Sequence, residues 1–164
     1  MITYQVVPTP VGPLAMLAHD GPLVAAGFTA DPRELFVRLP QRLQELPLVA
    51  GDLAEAAEAV RAYVDGELDA LDRVPVAEQA GTPTRRRLYA ALRAVPAGAT
   101  VTYGQLAEKA GLPRTAARAA GTACAQNLIA PFVPCHRVLP ATGGYGGYYY
   151  GSHIKQWLLT HERR

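Results

Sequence analysis

The chain has 164 residues, of which 49% are hydrophobic, with a mean hydropathy of +0.03 and a formal charge of +2. A chain of this length and composition can bury a core without disulfides, which excludes a disordered protein. No apolar run approaches the roughly 18 to 20 residues of a membrane span, and the N-terminus is unlike a signal peptide. Two cysteines without a CxxC pair predict a cytoplasmic protein with reduced thiols and no membrane partner.

The small net charge hides an asymmetry between the two halves. Residues 1–80 carry 5 basic and 12 acidic side chains, whereas residues 81–164 carry 11 basic and 2 acidic ones. A basic half of this kind indicates either a polyanion partner or a solvated surface rich in arginine. The charges alone do not decide between these two interpretations.

The first half is predicted to be a small α/β domain without obvious chemistry. Three apolar stretches between proline and glycine turn signals are typical of strands in a meander. They span residues 3–8, 14–18 and 22–28. Asp31 as N-cap and Pro32 predict a helix start, and Pro40 is expected to kink or interrupt that helix. Residues 53–64 predict a second helix, and residues 68–80 a strand or loop that leads into a linker.

Three helices are predicted at the start of the second half. Residues 84–95 form the first. Thr102 begins the second, because Gln105 three residues on completes a capping box. After a short turn that contains Gly111, residues 114–125 form the third. A helix, a short turn with glycine and another helix make the helix-turn-helix pattern, which is also common in helical pairs without that function.

Arginines on these helices are candidates for a nucleic-acid contact. Arg85, Arg86 and Arg87 crowd a helix start, which the helix dipole disfavours, so a phosphate contact and a solvated face are equally good interpretations. The third helix is nearly pure alanine and glycine around Arg118. Such a smooth helix either packs tightly inside the protein or lets Arg118 enter the base stack of DNA. Composition alone favours packing.

The most informative segment is PFVPCHRVL, in which Cys135 directly precedes His136. Neighbouring side chains of an extended strand point to opposite faces, so a tight turn or a bridging water is needed for the imidazole to take the thiol proton. A basic neighbourhood that includes Arg137 favours the thiolate, which is the nucleophile. The imidazole also needs an acid to orient it. Glu162 is the better candidate, because Glu108 lies on the helix-turn-helix.

Cys124 on the third helix is predicted to be a small core residue and not a disulfide partner of Cys135.

The segment 143–151 (GGYGGYYYG) holds four of the eight tyrosines. It is either a flexible loop or a stacking surface for a planar ligand such as a base. Residues 153–162 end the chain as a helix, with His161 predicted at its surface or edge.

The segment PCHRV resembles the active-site motif of the O6-alkylguanine-DNA alkyltransferases. The family's order and spacing are also matched by GTPTRRRLYAALRAVPAGATVTYGQLAEKAGLP, AARAAG, Asn127 and GYYYGSHIKQWLLTHE. The N-terminal TPVGPLAMLAHDGPLVAAGF is similar to the family's opening strands. The resemblance implies an α+β fold. Residues 1–80 would form a small antiparallel, ribonuclease H-like sheet with helices, and residues 81–164 a mostly helical, winged-helix-like domain with the helix-turn-helix.

The resemblance implies repair of double-stranded DNA that contains O6-alkylguanine, by a monomeric, nucleoid-associated protein without a cofactor. Cys135 would keep the alkyl group as a thioether after one turnover. His136 would act as base through a water, oriented by Glu162. Asn127 would brace the turn before the Cys segment. Tyr103 would help rotate the nucleotide and donate a proton to the leaving guanine. O4-alkylthymine is a second substrate that the sequence leaves open.

Further implied roles concern the DNA and the base pocket. Arg118 would occupy the space of the extruded base, since chemistry on a base requires flipping it out of the stack. The implied pocket residues are Val138, Tyr148 and Tyr149. The other implied DNA contacts are Thr102, Arg114, Ala117 and Gly121.

Some positions depart from the family pattern. The Cys and His ligands that hold a structural zinc in the N-terminal half of some relatives are missing, so no metal is predicted. Tyr149 stands where many members have Ser, and Tyr150 where many have Gly. These rings predict a narrower pocket and poor reaction with bulky adducts such as O6-benzylguanine. The turn at Arg114 is slightly longer than is common, which leaves the role of this residue open.

Three other functions compete with this interpretation. A non-catalytic relative that only binds alkylated DNA would lack the cysteine of PCHRV, so Cys135 argues against it. A helix-turn-helix regulator that senses electrophiles through Cys135 is a second alternative. A Cys hydrolase is a third, although the motif has no clear oxyanion site.

Overall fold

A computed structural model of the protein describes residues 1–163 and divides into two compact units. Unit 1 contains Met1–Gln79 together with Leu128–Phe132, and unit 2 contains Ala80–Asn127 and the residues from Val133 onward. The late segment belongs to unit 1 because it pairs with a strand there. The N–H of Ala26 donates to the carbonyl of Leu128 at 2.8 Å. Unit 1 is therefore not a single stretch of sequence.

Unit 1 is built on a four-stranded sheet. Its strands are β1 (Ile2–Thr9), β2 (Gly12–Ala18), β3 (Leu23–Gly27) and β4 (Leu48–Ala50), in the order β3-β2-β1-β4. The first three strands form the predicted antiparallel meander. However, β4 pairs with β1 in parallel, so the prediction of a purely antiparallel sheet is wrong at this edge. A strand of three residues is too short to show an alternating pattern in the sequence.

The helices of unit 1 are short at first and then regular. They are α1 (Arg33–Phe36), α2 (Gln41–Gln44) and α3 (Ala54–Val64), followed by a 3-10 turn over Ala70–Arg73. Pro40 separates α1 from α2, as expected of a residue that cannot donate an N–H within a helix. Pro32 precedes α1 with helical backbone angles (φ −61°, ψ −21°), and the Asp31 carboxylate accepts the N–H of Arg33 at 3.0 Å. Asp31 thus caps the start of the helix through its side chain, as predicted.

Unit 2 is mostly helical. Its regular helices are α4 (Pro83–Arg93), α5 (Tyr103–Lys109), α6 (Ala117–Ala125) and α7 (Ser152–His161). Two short strands, β5 (Val101–Thr102) and β6 (Val138–Leu139), pair in parallel. The capping box is confirmed: the Gln105 N–H donates to the Thr102 hydroxyl, and the Thr102 N–H donates to the Gln105 side chain. Helices α5 and α6, joined by a turn, form the predicted helix-turn-helix arrangement.

Candidate active site and nucleic-acid interface

Cys135 lies on a 3-10 turn, Cys135–Arg137, that leads into β6. The N–H of Arg137 donates to the carbonyl of Pro134 at 3.0 Å, which closes the turn. All three side chains of the turn are buried. Of the two possibilities that the sequence leaves open, a tight turn is therefore present, and Cys135 and His136 are not alternating residues of a strand.

His136 and Glu162 form the predicted buried pair. Nε2 of His136 lies 2.9 Å from Oε2 of Glu162, and the two residues are 0% and 1% exposed. Glu162 follows directly after the last residue of α7. The terminal helix thus delivers a carboxylate to the turn that carries the cysteine.

Arg137 uses the same carboxylate, which corrects the prediction that it acts on the thiol. Its Nε donates to Oε1 of Glu162 at 2.9 Å, and a terminal guanidinium nitrogen donates to Oε2 at 3.0 Å. The other terminal nitrogen donates to the carbonyl of Val95 at 2.7 Å. A guanidinium that is 1% exposed is stable only with such a set of acceptors, because an unpaired buried charge is costly.

The charges of His136, Arg137 and Glu162 favour a neutral imidazole on His136 and an ionised carboxylate on Glu162. Burial raises the pKa of Glu162, but hydrogen bonds and charges from His136 and Arg137 outweigh it and hold this pKa well below its usual range. Burial lowers the pKa of His136 more than the neighbouring Glu162 raises it. When Nε2 of a neutral His136 donates to Glu162, Nδ1 is left as an acceptor. Nδ1 is buried without a hydrogen-bond partner among residues 1–163.

Asn127 holds the thiol from the other side. Its side-chain amide donates to Sγ of Cys135 at 3.3 Å and to the carbonyl of Val133 at 2.8 Å. Asn127 therefore braces the segment that leads to the cysteine. Burial raises the pKa of Cys135, whereas the Asn127 hydrogen bond and the positive charge of Lys155 act in the opposite direction.

Lys155 is a site residue that the sequence reasoning missed. It is 1% exposed, and its Nζ donates to the carbonyls of Val138 at 2.9 Å and Gly147 at 3.3 Å. A signal was present in the sequence, since Lys155 has helical spacing with Leu158 and Leu159 on the buried side of α7. A lysine on an apolar face is usually interpreted as reaching back to solvent, but here its charge acts on the thiol.

A cavity of about 260 Å³ opens beside Cys135. Its lining residues are Tyr103, Gly121, Cys124, Ala125, Cys135, Gly147, Tyr148 and Tyr149. Tyr148 and Tyr149 thus lie where the pocket is predicted, and Tyr103 joins them from α5. Gly121, Cys124 and Ala125 share one side of α6, so small residues of the second helix-turn-helix helix form one wall.

Three predictions about individual side chains need correction. Val138 does not line this cavity, because it is fully buried in β6, where it pairs with Val101. Cys124 is not a core residue, since its position at the end of α6 turns it towards the cavity. His161 is not at the surface but 9% exposed, stacked on Trp157 with ring centroids 4.7 Å apart.

The predicted DNA contacts cluster on and around the helix-turn-helix. Thr102 caps α5, Ala117 begins α6, and Arg118 is exposed one position later. Arg114 lies in the 3-10 turn before α6, and its Nε donates to the Glu108 carboxylate at 2.6 Å. Arg114 thus has an acidic partner in the same motif, and nothing in the structure tests its predicted contact with DNA.

The arginines at the start of α4 hydrogen-bond with uncharged groups. Arg87 donates to the carbonyl of Gly111 at 3.1 Å, and Arg86 donates to the carbonyl of Gly81 at 2.8 Å. Arg85 donates to the side-chain oxygen of Gln126. These hydrogen bonds position the three guanidinium groups at the start of α4.

The described part of the chain contains neither a membrane-spanning helix nor a metal-binding cluster. Within residues 1–163, no helix has the length and apolarity needed to cross a bilayer. No cluster of at least three His, Cys, Asp or Glu side chains in the same range could hold a metal ion.

These features define a class of protein in which a helix-turn-helix flanks a buried cysteine, histidine and glutamate. Comparison with known proteins agrees. The family model described as the DNA-binding domain of 6-O-methylguanine DNA methyltransferase matches residues 83–164. The methylated-DNA–protein-cysteine methyltransferase of Mycobacterium bovis is 36% identical over 163 residues, which cover 99% of this chain and 93% of the relative. The chain therefore belongs to the methylated-DNA–protein-cysteine methyltransferase family.

Other relatives support the same assignment. The enzyme of that name from Shigella flexneri is 44% identical over 106 residues, and the match spans 65% of this chain but only 61% of the relative. The crystal structure of the O6-methylguanine methyltransferase of Mycobacterium tuberculosis matches with a TM-score of 0.80 at 33% identity. The match covers 99% of this chain and 93% of the chain in that structure. The mixed α+β fold and the family resemblance predicted from the sequence are thus confirmed.

Proposed function

We propose that this protein repairs double-stranded DNA by moving the alkyl group of O6-alkylguanine, above all a methyl group, to Cys135. The observation that carries the proposal is that Cys135 and one side of α6 line the same cavity. A base drawn from DNA bound at the helix-turn-helix would therefore meet the thiol. A solved structure of Mycobacterium tuberculosis OGT in complex with DNA, 32% identical with a TM-score of 0.80, supports DNA as the partner.

The thiol is activated by His136. No hydrogen bond joins His136 to Cys135 directly within the described chain, so the proton travels from Sγ to the free acceptor Nδ1 through a bridging water. The Glu162 carboxylate at Nε2 stabilises the imidazolium that forms. The Asn127 amide and the Lys155 charge stabilise the thiolate in the meantime. These groups act against burial, which disfavours a charged sulfur and is the largest influence on the pKa of Cys135.

In the transfer step, the Cys135 thiolate attacks the alkyl carbon, the carbon–sulfur bond forms and the bond from that carbon to O6 breaks. Guanine leaves with the electron pair and takes a proton from the Tyr103 hydroxyl. Burial raises the pKa of Tyr103, so it holds its proton until the leaving group develops negative charge. No cofactor takes part in any of these steps.

Base flipping requires a group that holds the gap and a pocket that receives the base. Arg118 is exposed on α6 and fills the gap in this proposal, while Tyr148 and Tyr149 contact the base. Four further residues contact the DNA backbone around the flipped nucleotide, namely Thr102, Arg114, Ala117 and Gly121. In this proposal Val138 takes part in the base pocket through its backbone and not through its side chain.

The finer aspects of the assignment belong to the same proposal. Unit 1 has a ribonuclease H-like topology and unit 2 a winged-helix-like one. Residues 1–80 and 81–164 correspond to the two domains, except that Leu128–Phe132 belongs to unit 1. The protein acts as a monomer in the cytoplasm near the nucleoid, since its substrate is chromosomal DNA. The basic side chains of residues 81–164 provide phosphate contacts.

The reaction occurs once per molecule, because a thioether offers no bond that water cleaves readily. A titration tests this: a fixed amount of protein is incubated with increasing amounts of duplex that contains O6-methylguanine, and repaired guanine is counted. We expect a plateau at one repaired base for each protein molecule. A continuing excess of repaired DNA over protein would overturn the single-turnover proposal. Unmodified duplex of the same sequence serves as the control.

A further inference from the structure

Two thiols line the cavity, and the proposed function uses only one of them. Cys124 belongs to the last turn of α6, and Cys135 lies on the 3-10 turn. Asn127 connects both residues: its N–H donates to the carbonyl of Cys124 at 3.3 Å, and its side-chain amide donates to Sγ of Cys135 at 3.3 Å. Both cysteines are free thiols. A single residue thus fixes the two cysteines on the same cavity.

The two thiols differ in their environments. Burial raises the pKa of both thiols and the Lys155 charge opposes this at both, but Cys135 in addition accepts the side-chain hydrogen bond of Asn127, which favours its thiolate. Burial raises the pKa of Cys124 well above its usual range, and the neighbouring Cys135 raises it further. Oxidants attack thiolates in preference to thiols. Cys135 is therefore the first target of an oxidant that enters the cavity, and Cys124 is left as a thiol that can react with the product.

We propose that Cys124 and Cys135 form a reversible intramolecular disulfide in the presence of hydroperoxides, and that this disulfide protects the alkyl acceptor. In the first step the Cys135 thiolate attacks hydrogen peroxide, which gives a sulfenic acid and hydroxide. In the second step the Cys124 sulfur displaces the sulfenic oxygen as water. Two electrons leave the two sulfur atoms, and the peroxide is reduced.

The surroundings fit this chemistry. The cavity has a volume of about 260 Å³, several times the roughly 30 Å³ that a water molecule occupies in the liquid. A peroxide molecule therefore has room beside the thiol. The helix ends at Ala125, one residue after Cys124, and the last turn of a helix shifts more easily than its middle. Without a resolving thiol, a sulfenic acid proceeds to sulfinic acid, which simple thiols do not reduce.

The consequence for repair rests on the proposed function. Oxidised protein accepts no alkyl group, and reduction restores the acceptor. A Cys135 that reaches the sulfinic state is lost for good. The disulfide between Cys124 and Cys135 would therefore protect the single-use alkyl acceptor from irreversible oxidation.

The test compares the wild-type chain with Cys124→Ser and Cys124→Ala after brief hydrogen peroxide treatment. Remaining thiols are blocked in denaturant, and intact mass and peptide mapping identify the products. For wild type we expect the loss of two hydrogens and a linked pair of peptides that contain Cys124 and Cys135. Both variants should show sulfinic acid on Cys135. After dithiothreitol, wild type should recover several-fold more of its own untreated methyl uptake than either variant.

The proposal is overturned if wild type and the variants give the same products and the same recovery. A disulfide between two molecules, seen on a non-reducing gel, would also overturn it. Peptide mapping does not depend on DNA, so its result stands even if the reduced protein takes up no methyl group. That last observation would refute the proposed function and not the disulfide.

Discussion

Oxygen Oε2 of Glu162 lies 2.9 Å from Nε2 of His136, and the same carboxylate binds the guanidinium of Arg137. The group that orients the proposed base is thus also the only carboxylate that pairs with a buried arginine in residues 1–163. In the proposed mechanism, catalysis and stability therefore depend on the same side chain. A change at Glu162 should affect both, although to different extents and in separable measurements.

Glu162→Gln should slow methyl transfer by about 10²-fold or more, the contribution typical of a general base, since the amide cannot stabilise an imidazolium. It should also lower the free energy of unfolding by about 3 to 5 kcal/mol, because Arg137 loses its charged partner in the interior. Quenched single-turnover kinetics and urea unfolding measure the two effects. The matched control is Glu108→Gln, which removes a more exposed ion pair and should cost at most about 1 kcal/mol. Equal stability of the two variants would contradict this account.

Stability should fall on the acid side of about pH 6.5, the ordinary pKa of histidine. Burial lowers the pKa of His136 in the folded protein, so the unfolded chain binds a proton there first. The stabilisation is complete above about pH 6.5 and is lost as the pH falls towards the lower folded value. Urea unfolding between about pH 8 and pH 5 measures this dependence. His136→Gln should flatten the curve, and an unchanged slope would show that another group is responsible.

Lys155→Met should raise the pKa of the Cys135 thiol, because it removes the only positive charge that acts on this sulfur within the described residues. The measurement is the rate of Cys135 carbamidomethylation by iodoacetamide as a function of pH, followed by peptide mapping. The control is Lys109→Met at the exposed end of α5. We expect the profile of Lys155→Met to move to higher pH and that of the control to stay in place. Two superimposed profiles would show that Lys155 acts only through its hydrogen bonds.

The tyrosine cluster beside the cavity should limit the size of the alkyl group. Tyr149 lines the cavity and is 65% exposed, and Tyr150 packs edge-on against it with ring centroids 4.9 Å apart. We expect slow reaction with O6-benzylguanine relative to DNA that contains O6-methylguanine. Tyr149→Ser and Tyr150→Gly should each raise the benzyl rate relative to the methyl rate. Comparable benzyl and methyl rates in the wild-type protein would contradict the prediction.

Local rules were sufficient where neighbouring residues determine the structure. The Thr102 capping box and the break at Pro40 depend only on a few adjacent residues, and both were predicted. In contrast, β4 and the β5–β6 ladder depend on pairing with distant segments. Strands of two or three residues are too short to show an alternating pattern, so the sequence did not predict them.

The candidate site divides in the same way. The family motif indicated Cys135, His136 and Glu162, and the fold brings the last two together. Arg137, Lys155 and Cys124 were placed wrongly or overlooked, because each depends on which way a side chain points once two elements pack. Helical spacing put Cys124 on the inner side of α6, but it could not show that this side faces a cavity and not a filled core.

The most direct test of the central claim is the intact mass of the protein after incubation with duplex DNA that contains O6-methylguanine. We predict a gain of one methyl group, located on Cys135 by peptide mapping and absent in Cys135→Ser. DNA that lacks the lesion should leave the mass unchanged. Binding to the methylated duplex without any gain in mass, or a methyl group on a residue other than Cys135, would contradict the account.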